Sequence, residues 1–140
     1  MREILFKAKR LDNGEWIEGS LLQTTAVSLK SFIVPSACYT SGRWDWAECV
    51  KVDTETICQY TGLMDKNGNK IWENDIVNKT DVNALGWHRE RKGKISFNNL
   101  GYWLLTTEFG DGYWLGEFNS EQIEVIGNIF DNSELMERSE

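Results

Sequence analysis

A turn between two β-favouring segments constrains the fold of this chain more than any other feature. The run Asp65-Lys66-Asn67-Gly68-Asn69 contains an Asn-Gly pair, and both residues tolerate the positive φ of tight hairpin turns. The segment before it, from Val52, is rich in branched and aromatic residues, which fit a pleated, half-buried surface. Apolar residues resume beyond the turn and continue to Val77. The stretch from Val52 to Val77 therefore predicts a strand, a tight turn and a returning segment.

The same alternation recurs along the rest of the chain. An alternating segment from Ile4, a turn at Asp12-Asn13-Gly14 and a second segment ending at Leu22 predict an N-terminal β-hairpin. After Gly93, short alternating segments are separated by turns of glycine and asparagine. Short strands at this spacing are typical of a small barrel or a curled antiparallel sheet.

The chain is therefore predicted to be mainly β and to have two parts. Residues 1–51 form an N-terminal β-hairpin and irregular region, and residues 52–140 form a small β-barrel with a C-terminal tail. In the tail, Asp131 or Asn132 can cap a short predicted helix through Met136, and Asp131 and Glu134 are spaced like a capping box. A hydrophobic share of 41% over 140 residues is enough for a core and argues against disorder.

Charge and hydropathy limit the setting in which the protein acts. The net charge of −7 opposes sequence-independent attraction to nucleic acid or anionic lipid, since both are polyanionic. We expect no membrane association and a cytoplasmic protein, because no apolar run has signal-peptide or membrane-spanning length. The three cysteines Cys38, Cys49 and Cys58 are odd in number and widely spaced, which predicts free thiols.

Three ordered patterns carry a resemblance to a known family. The central one is Gln59-Tyr60-Thr61-Gly62-Leu63, then Asp65-Lys66-Asn67-Gly68, then Ile71, Glu73 and Asp75-Ile76-Val77. The other two are Arg2-Glu3-Ile4 with Asp12-Asn13-Gly14-Glu15-Trp16 and Gly19-Ser20-Leu21-Leu22, and Val125-Ile126-Gly127-Asn128-Ile129-Phe130 with Asn132 and Leu135. Together they resemble the YopX family of phage and prophage proteins. One departure is Asn74, where the family pattern usually has glycine; asparagine is the nearest substitute at a positive-φ position.

The resemblance implies a mostly β protein with a small SH3-like barrel in the C-terminal half. It also implies a mobile-element origin and a bacterial cytoplasmic setting. It implies no activity, because the family is one of unknown function, and no functional residue is carried over from it.

Metal and cofactor sites are not predicted. The run from Asp65 begins like a calcium loop, but glycine falls at the fourth position and Ile76 at the twelfth, where an EF-hand needs a bidentate glutamate. Zinc would need three or four ligands, and the chain offers three cysteines and only His88, with no Cys-x-x-Cys pair. A hairpin turn and structural thiols are the preferred interpretations.

Catalysis has one candidate pair. Glu73 and Asp75 are two residues apart, so on a strand they would share one face, as paired carboxylates for proton transfer would require. Hydrogen bonding to nearby turn amides explains the two residues equally well. His88 lies in a run of charged residues, which favours an exposed loop histidine. We therefore predict a non-enzymatic protein and keep an enzyme that uses Glu73 and Asp75 as an alternative.

Nucleic-acid binding is a second alternative. The run from His88 to Lys94 is the main basic concentration, with Trp87 beside it and Tyr102 and Trp103 on a predicted neighbouring strand. Basic groups near aromatic rings bind single strands by stacking. Against this stands the acidic balance of the chain, and a basic loop is more often only solvated.

An excess of tryptophan supports the preferred function. Seven tryptophans exceed what a small barrel can bury, and exposed aromatic rings are enriched in interface cores. We predict self-association, or binding of a host or phage protein, by a non-enzymatic β module. The predicted contact surface comprises Trp44, Trp46, Trp87, Arg89, Arg91 and Lys92.

Overall fold

A computed structural model describes residues 3–25, 27–35, 49–82, 84–117 and 120–136. Its strands are β1 (Phe6–Lys9), β2 (Trp16–Thr24), β3 (Lys30–Pro35), β4 (Val50–Val52), β5 (Cys58–Met64), β6 (Lys70–Trp72), β7 (Asp75–Val82), β8 (His88–Phe97), β9 (Trp103–Thr107), β10 (Gly112–Trp114) and β11 (Ile123–Asn128). Short 3-10 turns lie at Thr54–Thr56, Leu115–Glu117, Ser120–Gln122 and Ser133–Met136. The prediction of a mainly β protein is confirmed.

The strands form two antiparallel sheets, ordered β4-β3-β2-β1-β5-β6 and β10-β9-β8-β7-β11. The contacts divide the chain into two compact units, residues 1–60 and 61–140, whereas the sequence places the boundary after Lys51. In the described ranges, no helix is long and apolar enough to cross a membrane.

The first unit is built on the predicted N-terminal hairpin. Strands β1 and β2 pair antiparallel, with Phe6 opposite Gly19 and Lys9 opposite Trp16, so this hairpin is confirmed. Ala8 is fully buried between two lysines that lie over the Trp16 ring at 4.6 and 5.4 Å. Because alternate residues point to opposite faces of a strand, the core collects on one side of the sheet. Its buried members are Ala8, Ile33 and Val52.

The second unit contains the end of β5, the Asp65–Asn69 turn, β6 and the five-stranded sheet. Strands β5 and β6 are neighbours on either side of the turn, which confirms the predicted strand, turn and return. The core is aliphatic and draws one buried side chain from each of β6, β7, β8, β9, β11 and the 3-10 turn that begins at Leu115. Its buried members are Ile71, Val77, Ile95, Leu105, Leu115 and Ile123.

Two finer predictions about the second unit are not confirmed. The five-stranded sheet ends at β10 on one side and at β11 on the other, so its described strands do not close into an SH3-like barrel. The predicted C-terminal helix is only a four-residue 3-10 turn, Ser133–Met136. The Asn132 carboxamide oxygen accepts from the Asn128 amide at 3.2 Å, so this side chain faces back towards β11 and does not cap a helix.

Candidate functional site

The Asp65–Asn69 turn has the hairpin geometry that its Asn-Gly pair predicts. The Asp65 amide donates to the Asn69 carbonyl at 2.8 Å, and the Gly68 amide donates to the Asp65 carbonyl at 3.1 Å. Gly68 has a φ of 79°, which a residue without Cβ adopts at low steric cost. Two backbone hydrogen bonds therefore close the turn.

The Asp65 carboxylate is the centre of this turn. Although the residue is only 3% exposed, its Oδ1 accepts from the amides of Asn67 and Asn69 at 2.9 Å each. Its Oδ2 accepts from the Val125 amide at 2.9 Å. Burial raises the pKa of this carboxyl, but the hydrogen bonds from these three amides outweigh burial and leave the pKa below its ordinary value. The carboxylate thus anchors the turn to the last strand.

The hydrogen bonds of Asp65 and the positions of the cysteines concern the calcium and zinc sites that were considered from the sequence. Three amides already occupy the oxygens of Asp65 that a calcium ion would need. Across the part of the chain that the structure describes, no group of three or more His, Cys, Asp and Glu side chains is placed to hold a metal ion. Cys58 is buried, and its thiol donates to the Thr56 carbonyl at 3.3 Å. Cys38 lies outside the described residues.

The two carboxylates of the predicted catalytic pair lie on different elements. Glu73 is in the turn between β6 and β7, whereas Asp75 is the first residue of β7. The expectation that both share one face of a strand is therefore wrong, because Glu73 lies between the two strands and only Asp75 belongs to one. Asp75 is buried, and its Oδ2 accepts from the Trp72 amide at 2.8 Å. That bond holds the turn, as the alternative interpretation of this pair predicts.

Asn74 occupies the same turn in the conformation that glycine would favour. Its φ is 69°, the only positive value among the described non-glycine residues. Its amide donates to the Ile95 carbonyl at 2.8 Å, and its carbonyl accepts from the Ile129 amide at 3.0 Å. Asparagine thus adopts a positive φ at the position where the family pattern usually has glycine.

The C-terminal pattern also forms a hydrogen-bonded turn. The Asn128 side-chain oxygen accepts from the amides of Phe130 and Asp131 at 2.9 Å each. The register of β11 against β7 shifts between Val125 and Gly127, which marks a β-bulge. The residues of the central and C-terminal family patterns therefore stabilise the turns and flank the bulge.

The basic run predicted as a loop is part of strand β8. Within it, Arg91 Nη1 contacts Asp111 Oδ2 at 2.7 Å, and the Arg91 side chain is only 10% exposed. Trp87 is 71% exposed. It lines a shallow pocket of about 420 Å³ together with Asp81, Val82 and Arg89. Trp44 and Trp46 of the predicted contact surface lie outside the described residues.

A buried lysine on the neighbouring strand is a feature that the sequence did not reveal. Lys79 lies opposite Arg91, and its Nζ contacts Asp81 Oδ2 at 3.1 Å. The same ammonium lies 3.7 Å from the centroid of the Tyr113 ring. The carboxylate and the ring face together compensate for burying the charge.

The described second unit has an open, mainly apolar groove of about 540 Å³. We call it the aromatic groove, and it is lined by Thr61, Leu63, Gly101, Tyr102, Trp103, Trp114, Leu115 and Gly116. The rings of Tyr102 and Trp114 lie 5.0 Å apart at an angle of 51°, and Trp103 packs edge-on against Phe97 at 4.9 Å. The side chains that line the groove are uncharged, so it suits an uncharged, apolar or aromatic contact.

The groove follows from the pairing of β9 with β10. Leu104 lies opposite Trp114, and Leu105 opposite Tyr113. Leu105 is buried in the core, whereas Trp114 is 55% exposed. The sequence predicted Tyr102 and Trp103 on a strand near the basic run, but it did not single out Trp114. The alternation of inward and outward residues along β10 is the sequence signal that could have indicated that Trp114 faces outward.

Comparison with known proteins places the chain in a family. A family model described as YopX protein matches residues 5–137. The chain belongs to the YopX protein family. The predicted resemblance is confirmed by this match over nearly the whole chain. A comparison with curated protein sequences found no match.

One solved structure shows a similar fold for this YopX family chain. It is the crystal structure of protein EF1440 from Enterococcus faecalis, with 22% sequence identity and a TM-score of 0.52. The alignment covers 98% of this chain and 100% of that one. At this identity the comparison shows the fold alone.

Proposed function

We propose that this YopX family chain is a non-enzymatic β module that binds protein, including a second copy of itself, through the aromatic groove. We also propose a phage or prophage origin and a role in the bacterial cytoplasm. The observation that carries the binding function is the groove itself. It is concave and uncharged, and the half-exposed Trp114 lies at its edge.

The energetics of apolar burial support this use of the groove. Covering apolar surface contributes about 25 cal/mol per Å², so an exposed indole gains free energy from a partner. Tryptophan and tyrosine dominate the energetics of protein interfaces because they bury a large area with few rotatable bonds. Trp114 and Tyr102 provide two such rings side by side.

Backbone pairing is a second contribution to the proposed binding. Trp114 belongs to β10, which is an edge strand of the five-stranded sheet. Edge strands present unpaired backbone groups that can pair with another chain. A partner strand beside β10 would therefore combine backbone hydrogen bonds with contact to the groove.

Light scattering after size exclusion tests the part of the proposal that concerns a second copy. We expect the average mass of the wild-type chain to rise with concentration through the micromolar range. Trp114→Ser should reduce that rise. Phe109→Ser is a matched control, because Phe109 is 58% exposed against 55% for Trp114 and does not line the groove. A strict monomer at every concentration would remove the second copy from the proposal.

A second candidate is binding of single-stranded nucleic acid, favoured by the exposed Trp87 ring beside Arg89. Stacking on Trp87 would quench its fluorescence, and phosphate contacts would make affinity fall with salt. Titration of the wild type and of Trp87→Ser with an oligonucleotide at two salt concentrations tests this candidate. Absence of binding at low salt would dismiss it.

A further inference from the structure

We propose that Asn67 is a site of spontaneous deamidation, and that its conversion weakens the attachment of the Asp65–Asn69 turn to strand β11. The modification needs no enzyme and no cofactor. Its reactants are the Asn67 side-chain amide, the backbone nitrogen of Gly68 and water. The inference is independent of the proposed binding function.

The reaction balances as follows. The Gly68 amide nitrogen loses its proton and attacks Cγ of Asn67, forming a C–N bond and closing a five-membered succinimide. Nδ2 leaves as ammonia. Water then adds to either ring carbonyl. Opening at Cγ gives aspartate, and opening at the main-chain carbonyl gives isoaspartate, in which the backbone runs through the former side chain. The net change is amide plus water to carboxylic acid plus ammonia.

The turn leaves the reacting groups accessible. Asn67 and Gly68 are both exposed, and there is open space where a Cβ on Gly68 would lie. Among the described residues, the Asn67 side chain makes no hydrogen bond, so it is free to rotate towards the Gly68 nitrogen. The Gly68 N–H donates to the Asp65 carbonyl at 3.1 Å. This hydrogen bond must break before the Gly68 nitrogen can attack Cγ of Asn67.

The other Asn-Gly pair provides an internal comparison. Asn13 precedes Gly14, whose N–H donates to the Arg10 carbonyl at 2.9 Å. Here the asparagine side chain is held, because its Oδ1 accepts from the Glu15 amide at 2.9 Å and its Nδ2 donates to the Glu15 carboxylate at 3.4 Å. Rotation of Cγ towards the Gly14 nitrogen would break both bonds. We therefore expect Asn67 to convert faster than Asn13 in the folded protein.

The position of Asn67 gives the conversion a structural consequence. Its own amide donates to Asp65 Oδ1 at 2.9 Å. The adjacent Lys66 contacts β11 twice, through its amide to the Ile123 carbonyl at 3.0 Å and through Nζ to Glu124 at 3.1 Å. Isoaspartate would add a methylene to the backbone of this turn, and either product adds a negative charge near Asp65. Both changes oppose the hydrogen bonds that Asp65 makes.

Peptide mapping of the aged full-length chain tests the site. The folded protein is incubated at mildly alkaline pH and cleaved after glutamate, which places Asn67 in peptide 56–73 and Asn13 in peptide 4–15. Fragment masses distinguish conversion at Asn67 from conversion at Asn69. We expect conversion at Asn67 to be several-fold faster than at Asn13, and the two rates to converge in denaturant. Equal rates in the folded protein, no conversion at Asn67, or a preference that persists in denaturant would overturn the assignment.

The structural consequence has its own test. Asn67→Ser keeps a polar turn residue and removes the side-chain amide. After the same incubation, the denaturant midpoint of the wild-type chain should fall as isoaspartate accumulates, whereas that of Asn67→Ser should stay at its starting value. If the aged wild type retains its midpoint while Asn67 is largely converted, the proposed weakening is wrong.

Discussion

Asp65 Oδ2 accepts a hydrogen bond from the backbone amide of Val125 at 2.9 Å, across 60 positions of sequence. The other carboxylate oxygen holds the turn that follows Asp65. One buried side chain therefore joins the hairpin of the central family pattern to the strand that carries the C-terminal pattern. Two of the three parts of the family resemblance meet at this carboxylate, which gives them a structural role.

Replacing Asp65 by asparagine should strongly destabilise the fold. Both oxygens of the Asp65 carboxylate accept hydrogen bonds from backbone amides. A carboxamide has only one oxygen, so its NH₂ group would face one of these N–H donors and the hydrogen bond would be lost. The loss of a charge-assisted hydrogen bond costs about 1.5–3 kcal/mol. Equilibrium denaturation in urea measures the change in the free energy of unfolding.

Asp12→Asn is the matched control for that substitution. Asp12 is an exposed aspartate that pairs with Arg10 at 2.7 Å, and exposed pairs contribute little to stability because water screens them. We expect the free energy of unfolding of Asp12→Asn to stay close to that of the wild type. A smaller effect for Asp65→Asn than for Asp12→Asn would contradict the anchoring role.

The contribution of the Asp65 carboxylate to the free energy of unfolding should decrease towards acidic pH. Its pKa in the folded state is lower than the usual value of about 3.9 for aspartate. The unfolded state therefore binds more protons in this range, so stability rises with pH. The difference in unfolding free energy between the wild type and Asp65→Asn should be full above about pH 5 and shrink as pH falls through the folded-state pKa. Guanidinium denaturation across a pH series measures it, and a difference that grows towards acid would be inconsistent with the lowered pKa.

The positive φ of Asn74 predicts a ranking of substitutions. The left-handed conformation costs a side chain with Cβ about 1–2 kcal/mol, and asparagine and glycine tolerate it best. Asn74→Val should therefore be less stable than Asn74→Gly by about 1–2 kcal/mol. Thermal denaturation of the two variants side by side provides the comparison. Equal stabilities would show that this φ places no constraint on the residue.

The close approach at the β11 bulge predicts an asymmetry between two glycines. A Cβ on Gly127 would lie 2.5 Å from Asn132 Oδ1 and 2.7 Å from its Cγ. Gly127→Ala should cost about 1–3 kcal/mol, because Asn132 must move and lose its bond to Asn128. A Cβ on Gly116 meets nothing within 4 Å, so Gly116→Ala should be neutral or slightly stabilising. Urea denaturation of both variants tests the pair, and a greater loss for Gly116→Ala would refute the packing argument.

Local features of the fold were predictable from sequence because each depends on neighbouring residues. Asn67-Gly68 indicated a hairpin turn, and the alternation around Ala8 indicated the first strand; both were confirmed. The prediction of a loop for the charged run from His88 was wrong, because charge alone does not distinguish a loop from a strand. The run forms a strand because it pairs with β7, with Lys79 opposite Arg91 and Val82 opposite His88.

Long-range relationships were not predictable from sequence because they depend on strand register. Nothing near Asp65 indicates that its second oxygen meets Val125. Likewise, Lys79 appears as an ordinary surface lysine until the register places it opposite Arg91 and against Tyr113. The aromatic groove joins residues of β5, β9 and β10, so only the folded arrangement shows that Trp114 belongs with Tyr102.

Site-specific photocrosslinking in bacterial cells tests the central claim of protein binding through the groove most directly. A photoreactive amino acid replaces Trp114 in one variant and Phe109, which is similarly exposed, in another. We predict a discrete crosslinked product from position 114, at twice the chain mass or joined to another protein, and none from position 109. No product at position 114, or the same products from both positions, would contradict the proposed contact surface.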